Sequence, residues 1–497
     1  MLAWFLPAFL ILLMIGVPVF FALMFAPGLL LWLNGQERDM ALLYRNLYNG
    51  MDSFPLMALP FFMLAGELMN RGGITGRLVD FSQALMGHLR GGLAHVNILS
   101  SILFAGLSGS AVADTSALGS TLIPAMERNG YTRKFAAAVT AASSVIGPII
   151  PPSGIMIIYA YVMGESVAAL FLAGIVPGLL VGIGLMVMVR LMADRYDLPK
   201  AERIVRRGQE ISATEHWVSF ILLRLNIAGL LFALYSLAAP AMGVELASGV
   251  TGWILFAVLL LVAHAILLWA RRRASADFRI VCKKAVAPLQ APIIILGGIL
   301  IGVFTPTEAS AAAVAYALIV SFFVLRSLKL SDLPAVFAKS ALGASTVLLL
   351  VGAAVAFKTV VSLSHAPEHL ADLILGLSHD PLILLFLINI LLFIVGMFLD
   401  AGPAIIILGP ILAPIYADIG VHPVHFAIIM SVNLTVGLAT PPMGLVLFVA
   451  SSVSGERVET ISRAILPFLA VEVVVIFLIT YVPAISMTVP TLAGFIK

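Results

Sequence analysis

Two short stretches set in apolar sequence carry residues able to hold an ion. Ser108, Gly109 and Ser110 are followed by Gly147, Ile150 and Pro151 in a Gly-Pro-Ile-Ile-Pro-Pro run. Gly396, Asp400 and Ala401 are followed by Gly437, Thr440 and Met443 around Thr440-Pro441-Pro442. Hydroxyls, a carboxylate and carbonyls freed by proline are hard oxygen donors, the kind that hard cations take. The carbonyl end of a broken helix adds partial negative charge. Asp114, Thr115, Ser116, Ser153 and Gly154 stand where half-helices would begin, and N–H groups at such ends attract anions. Plainer readings exist for each. Gly and Ser also let helices pack closely, and Asp114 could cap a half-helix beginning at Thr115.

The two stretches are copies. Residues 106–154 and 396–444 align without a gap at an offset of 290. Of ten Gly or Pro residues in the first copy, eight recur: Gly106, Gly119, Pro124, Gly130, Gly147, Pro151, Pro152 and Gly154 fall on Gly396, Gly409, Pro414, Gly420, Gly437, Pro441, Pro442 and Gly444. These residue types dictate backbone geometry, so the chain is expected to build one broken-backbone device twice. Their flanking charges differ. Arg90, Arg128, Arg133 and Lys134 surround the first copy, whereas no Lys or Arg lies between Lys358 and Arg457. Under the positive-inside rule the two devices face opposite sides, as in an inverted repeat.

The elements that must position these residues are membrane helices. Apolar residues make up 61% of the 497 and charged residues 11%, with many continuous runs long enough to cross hydrocarbon. Continuous runs favour an all-α polytopic membrane protein over an alternating barrel. A lone Cys282 excludes an intrachain disulfide framework, and the apolar 2–33 stretch reads as a retained span, not a cleaved signal. Six basic residues between Arg190 and Arg207, and six between Arg271 and Lys284, place both loops and the N-terminus in the cytoplasm. Spans are predicted at 3–33, 54–69, 166–189, 217–240, 249–270, 286–304, 307–325, 335–357 and 464–487. Re-entrant hairpins are predicted at 91–126 and 381–417, and proline-broken helices at 135–163 and 425–452. The expected domains are scaffold at 1–90, the first hairpin unit at 91–163 and a scaffold helix with its basic loop at 164–204. An inserted pair at 205–285, second scaffold at 286–380, second hairpin unit at 381–452 and C-terminal helix at 453–497 follow.

GLSGSAVADTSALGSTLIPAM, GPIIPPSG, GVFTPTEASAAA and GLATPPMG, in that order and spacing, resemble the large membrane subunit of tripartite ATP-independent periplasmic (TRAP) transporters. The resemblance covers nearly the whole chain except about 205–280, which members usually lack. It implies an elevator-type secondary transporter in the bacterial inner membrane. Such a subunit imports an organic acid with sodium as coupling ion and no other cofactor. It works beside a small membrane subunit of about four helices and receives its carboxylate from a periplasmic binding protein. On that basis Ser108, Gly109, Ser110, Gly147, Ile150 and Pro151 are expected to form one sodium site. Gly396, Asp400, Ala401, Gly437, Thr440 and Met443 are expected to form the other. Asp114, Thr115, Ser116, Ser153 and Gly154 become candidate substrate contacts. Thr305, Thr307 and Glu308 join them, with a buried helix cap as the alternative. The extra pair near 205–280 is either a peripheral scaffold addition or a change in the small-subunit contact.

Other function classes fit less of the sequence. Gly106-Leu107-Ser108-Gly109 matches a GxSG nucleophile pattern, so an intramembrane serine protease is conceivable. The second copy lacks that serine motif. A passive channel would leave the inverted hairpins unexplained. No Lys follows a Gly, so there is no P-loop lysine, and neither metal-ligand spacing nor a nucleic-acid motif is present. A stand-alone ion-coupled anion carrier of related architecture remains the alternative within transport.

Overall fold

The computed structural model describes residues 5–33, 35, 40–196, 198–199, 211–241, 249–363, 376, 378 and 380–496. Among them every regular element is a helix, and nine helices are long and apolar enough to cross a bilayer. The stretch expected as one span at 3–33 is two helices, α1 (Phe5–Met14) and α2 (Val19–Leu33). Gly16 turns the chain with φ 88° and Pro18 offers no N–H, so one helix cannot run through. Two helices absent from the predicted spans follow, α3 (Met40–Met51) and α5 (Ile74–Met86), on either side of α4 (Ala58–Arg71). Their polar faces keep them from reading as apolar runs.

The first hairpin is α6 (Gly92–Ser108) and α7 (Ala111–Arg128); the first broken helix is α8 (Arg133–Ser144) and α9 (Gly154–Met163). A long helix α10 (Val167–Arg195) then packs on α6, α9 and the second half of the chain. Next come α11 (Ala213–Ala241), α12 (Gly249–Arg273), α13 (Ala276–Leu300), α14 (Pro306–Ile319) and α15 (Leu333–Leu363). The second hairpin is α16 (Pro381–Phe398) and α17 (Ala401–Asp418), the second broken helix α18 (Pro423–Gly437) and α19 (Leu445–Ser454). The chain ends in α20 (Val458–Tyr481) and α21 (Ala484–Leu492), so the span expected at 464–487 stops at Val482-Pro483 and restarts.

The repeat is as regular in structure as in sequence. Helix α7 runs from 111 to 128 and α17 from 401 to 418; α8 begins at 133 and α18 at 423, all at the same offset. The turns joining these pairs hold Gly130 and Gly420 at φ 88° and 89°, where any side chain would be strained. Peptides Pro151-Pro152 and Pro441-Pro442 are both cis. Buried polar side chains tie each hairpin to its broken helix. Asn97 donates to Thr140 at 2.6 Å and Ser101 to Ser143 at 2.9 Å, while Asn433 donates to Asn389 at 2.7 Å. At membrane depth such groups must find partners within the protein.

The repeats also exchange elements. Helix α7 of the first hairpin packs on α19, and α17 of the second hairpin packs on α9. A Cβ at Gly119 would lie 3.4 Å from Val453, and one at Gly409 3.6 Å from Met163, which are equivalent pairs under the offset. Around this core, α15 packs on α2, α3 and α4, and α14 on α4. Helix α12 lies outermost. It packs on α11, which reaches the rest of the molecule chiefly through α13.

Candidate ion and substrate site

The hairpin tips are built by helix ends. Gly109 caps α6 in the left-handed region (φ 62°), and Ser110 then caps α7 by accepting from Ala113 N–H. Asp400 holds the equivalent position in the second copy and accepts from Ala401 N–H at 2.8 Å at the start of α17. Ser153 caps α9, accepting from Met156 N–H and donating to the Pro148 carbonyl across the break. Both tips and the start of α9 open into one cavity of about 1120 Å³. Ser108, Gly109, Ser110, Ser116, Gly154, Asp400 and Ala401 line it, with Pro148 and Pro152 from the first break.

Asp114 lies behind the first tip, fully buried. Ser108 donates its hydroxyl to one carboxylate oxygen, and the other oxygen has no hydrogen-bond partner. That second oxygen points at Gly147, where a Cβ would collide with it. A buried carboxylate oxygen left open beside a broken helix is an oxygen donor of the kind a hard cation takes. Asp114 therefore groups with Ser108 and Gly147. It does not cap a half-helix, since α7 begins at Ala111 and not at Thr115. Thr115 is buried and donates to the Ala111 carbonyl at 2.8 Å. The open N–H groups belong to the first turn of α7, four residues earlier than the sequence suggested.

The other expected residues divide. Pro151 presents its carbonyl to Gly106, while Ile150 packs against Gly178 of α10. Gly396 and Gly437 bring the second hairpin and second break into backbone contact, with no room for a Cβ on either. Thr440 is buried and donates to the Val436 carbonyl at 2.9 Å; Met443 is exposed and lies outside the cavity lining. Thr305 and Glu308 form a reciprocal capping box at the start of α14, and Thr307 donates to the Phe54 carbonyl at 3.2 Å. None of these three lines the cavity. Lys358 donates to the Val162 carbonyl at 2.6 Å and so satisfies the end of α9.

Several polar groups at the cavity escaped the sequence reading. Lys339 of α15 pairs with Glu67 of α4 at 2.8 Å, and Asn70 lies one turn further along α4. The available signal was a charged residue inside each apolar helix, Glu67 in the second half of α4 and Lys339 in the first part of α15.

Comparison with known proteins decides the family. Residues 6–485 match the family model for the tripartite ATP-independent periplasmic transporter, DctM component. The chain belongs to the TRAP transporter large permease family. This permease is 35% identical to the C4-dicarboxylate TRAP transporter large permease protein DctM of Pseudomonas aeruginosa, over 90% of its own length and 89% of that protein. It is 35% identical to the sialic acid TRAP transporter large permease protein SiaM of Vibrio cholerae, over 97% and 96%. In fold it resembles the YdaH transporter of Alcanivorax borkumensis, with TM-score 0.54 and 15% identity over 89% and 88% of the two chains. The permease is thus a multi-pass membrane transport subunit and not an enzyme. The similar proteins are transporter permeases, so the protease reading falls, and Ser108 donates its hydroxyl to Asp114.

Proposed function

We propose that this permease imports a small organic acid across the bacterial inner membrane by symport with sodium. Its N-terminus would face the cytoplasm, a small membrane subunit would accompany it, and a periplasmic binding protein would deliver the carboxylate. The observation that carries this reading is the meeting of both hairpin tips in one cavity, with the open Asp114 oxygen directly behind the first tip. Sodium is the transported partner here, held by hydroxyl, carboxylate and carbonyl oxygens at the tips and breaks. A carboxylate substrate needs donors instead, and the first turns of α7, α9 and α17 supply N–H groups around the same cavity. Movement of the hairpin core past the α2–α4 and α15 helices would carry that cavity between the two sides. Names of relatives support the substrate class, since similar permeases are described for C4-dicarboxylate and sialic acid.

The test is uptake of radiolabelled carboxylates into proteoliposomes holding the permease and its small subunit, with and without binding protein, under an inward sodium gradient. Uptake that needs both sodium and binding protein supports the proposal. Sodium-driven uptake without the binding protein would favour a stand-alone carrier, and indifference to sodium would remove the ion sites.

A further inference from the structure

At one end of the outermost helices lies a group of positive charges that the transport reading does not use. Lys283 of α13 has Arg224 of α11, Arg271 of α12 and Arg279 of its own helix as repelling neighbours. Lys283 Nζ lies 3.1 Å from His216 Nδ1, and Arg224 Nε donates to His264 Nδ1 at 3.0 Å. Both rings thus meet a basic side chain at Nδ1. The Arg224 guanidinium also covers the Phe220 ring at 3.3 Å and donates to the Phe220 carbonyl at 2.6 Å.

Among the described residues no ion pair reaches Arg224, Arg271, Arg279 or Lys283. Of the neighbouring carboxylates, Glu215 pairs with Arg77 and Asp80 faces Arg77 and Lys284, while Asp277 lies in the first turn of α13, two residues before Arg279. Four like charges grouped near the ends of three adjoining helices favour an anion among them.

The surroundings indicate its source. Trp217 at the start of α11 and Trp269 near the end of α12 are 63% and 58% exposed, and exposed tryptophans mark the headgroup level. Arg224 and His264 lie seven and five residues deeper than these two, roughly 10 and 8 Å at helical rise. The exposed flank of α12 beyond them is aliphatic, with Leu261, Val258 and Ile254. Basic groups that run from Arg271 near the tryptophan level down to Arg224 below it, beside an acyl-sized apolar strip, fit a phospholipid better than a free anion. By the positive-inside rule this is the inner leaflet.

We propose that the α11–α12–α13 junction binds an acidic inner-leaflet phospholipid through its phosphodiester, with Arg224, Lys283, Arg271 and Arg279 as the charge partners. The site is independent of which carboxylate or coupling ion the permease uses.

The experiment is native mass spectrometry of the full permease, titrated separately with phosphatidylglycerol, phosphatidylcholine and inorganic phosphate. Retained phosphatidylglycerol adducts, absent with the zwitterionic lipid and not displaced by millimolar phosphate, are expected. The Arg224→Gln/Lys283→Gln variant should bind phosphatidylglycerol at least about tenfold more weakly. If that variant misfolds, Arg271→Gln/Arg279→Gln at the less enclosed positions should show the same loss. Equal binding by wild type and either folded variant, equal binding of the two lipids, or displacement by free phosphate would each overturn the proposal.

Discussion

A methyl group at position 437 would have to occupy space already held by the backbone of Gly396, and one at 147 the space held by the Asp114 carboxylate. Backbone cannot step aside as a flexible side chain can, so Gly437→Ala should destabilise the permease by about 1–3 kcal/mol. It should also reduce uptake more than tenfold, read by thermal melting and proteoliposome flux. Gly147→Ala should keep more stability yet displace Asp114, raising the sodium concentration for half-maximal uptake. Asp114→Asn keeps the shape and the Ser108 contact but removes the charge. Its sodium half-saturation should rise at least tenfold, and an unchanged value would show that Asp114 holds no cation. Glu472 on α20 presents a different case. It is fully buried with neither carboxyl oxygen partnered, so an apolar isostere relieves a desolvation cost. Glu472→Met should raise the melting temperature, and a drop would reveal a partner that stabilises the carboxyl.

Between elements, the exchange of α7 with α19 and of α17 with α9 makes the hairpins and broken helices one body, while α4 meets that body at Gly66 against Leu107. A disulfide joining Gly119→Cys to Val453→Cys lies within the body and should leave uptake near that of the reduced protein. One joining Gly66→Cys to Ser108→Cys ties the body to α4. Oxidation should then stop the residual flux, and reductant should restore it. Much of this architecture was legible in the sequence because Gly and Pro act locally. Gly130 and Gly420 announce their turns, and Pro151 and Pro441 their breaks, whatever surrounds them. The exchange was not legible, since it depends on contacts between Gly119 and Val453, 334 positions apart. The start of α7 was misplaced for a related reason. Ser110 and Asp114 are both good caps, and only the folded tip turns the first toward Ala113 N–H and the second toward Ser108. Thr305 and Glu308 were grouped with the substrate on resemblance, whereas the tertiary packing of α14 against α4 sets them away from the cavity.

For the whole molecule, the charge asymmetry of the two repeats underlies the proposed orientation, which labelling can check. In a Cys282→Ser background, Ala276→Cys beside the basic α12–α13 loop should react with an impermeant maleimide only from the cytoplasmic side. Ala417→Cys at the end of α17 should react only from outside, and reversed labelling would invert the proposed topology. The interlocked hairpins also set a timetable for biosynthesis. Helices α7 and α9 are finished by residue 163, but their partners α19 and α17 are complete only at 454 and 418. At about 5–20 residues per second, the early half waits roughly 15 s to a minute for its counterparts. Throughout that interval the polar tip at Ser108–Ser110 and the open backbone of the first break stand in the membrane without the surfaces that later enclose them. A chain halted between the two repeats is therefore expected to expose an unfinished core to membrane proteases, which pulse-chase of a truncation ending before residue 381 would read as faster decay than that of the full permease.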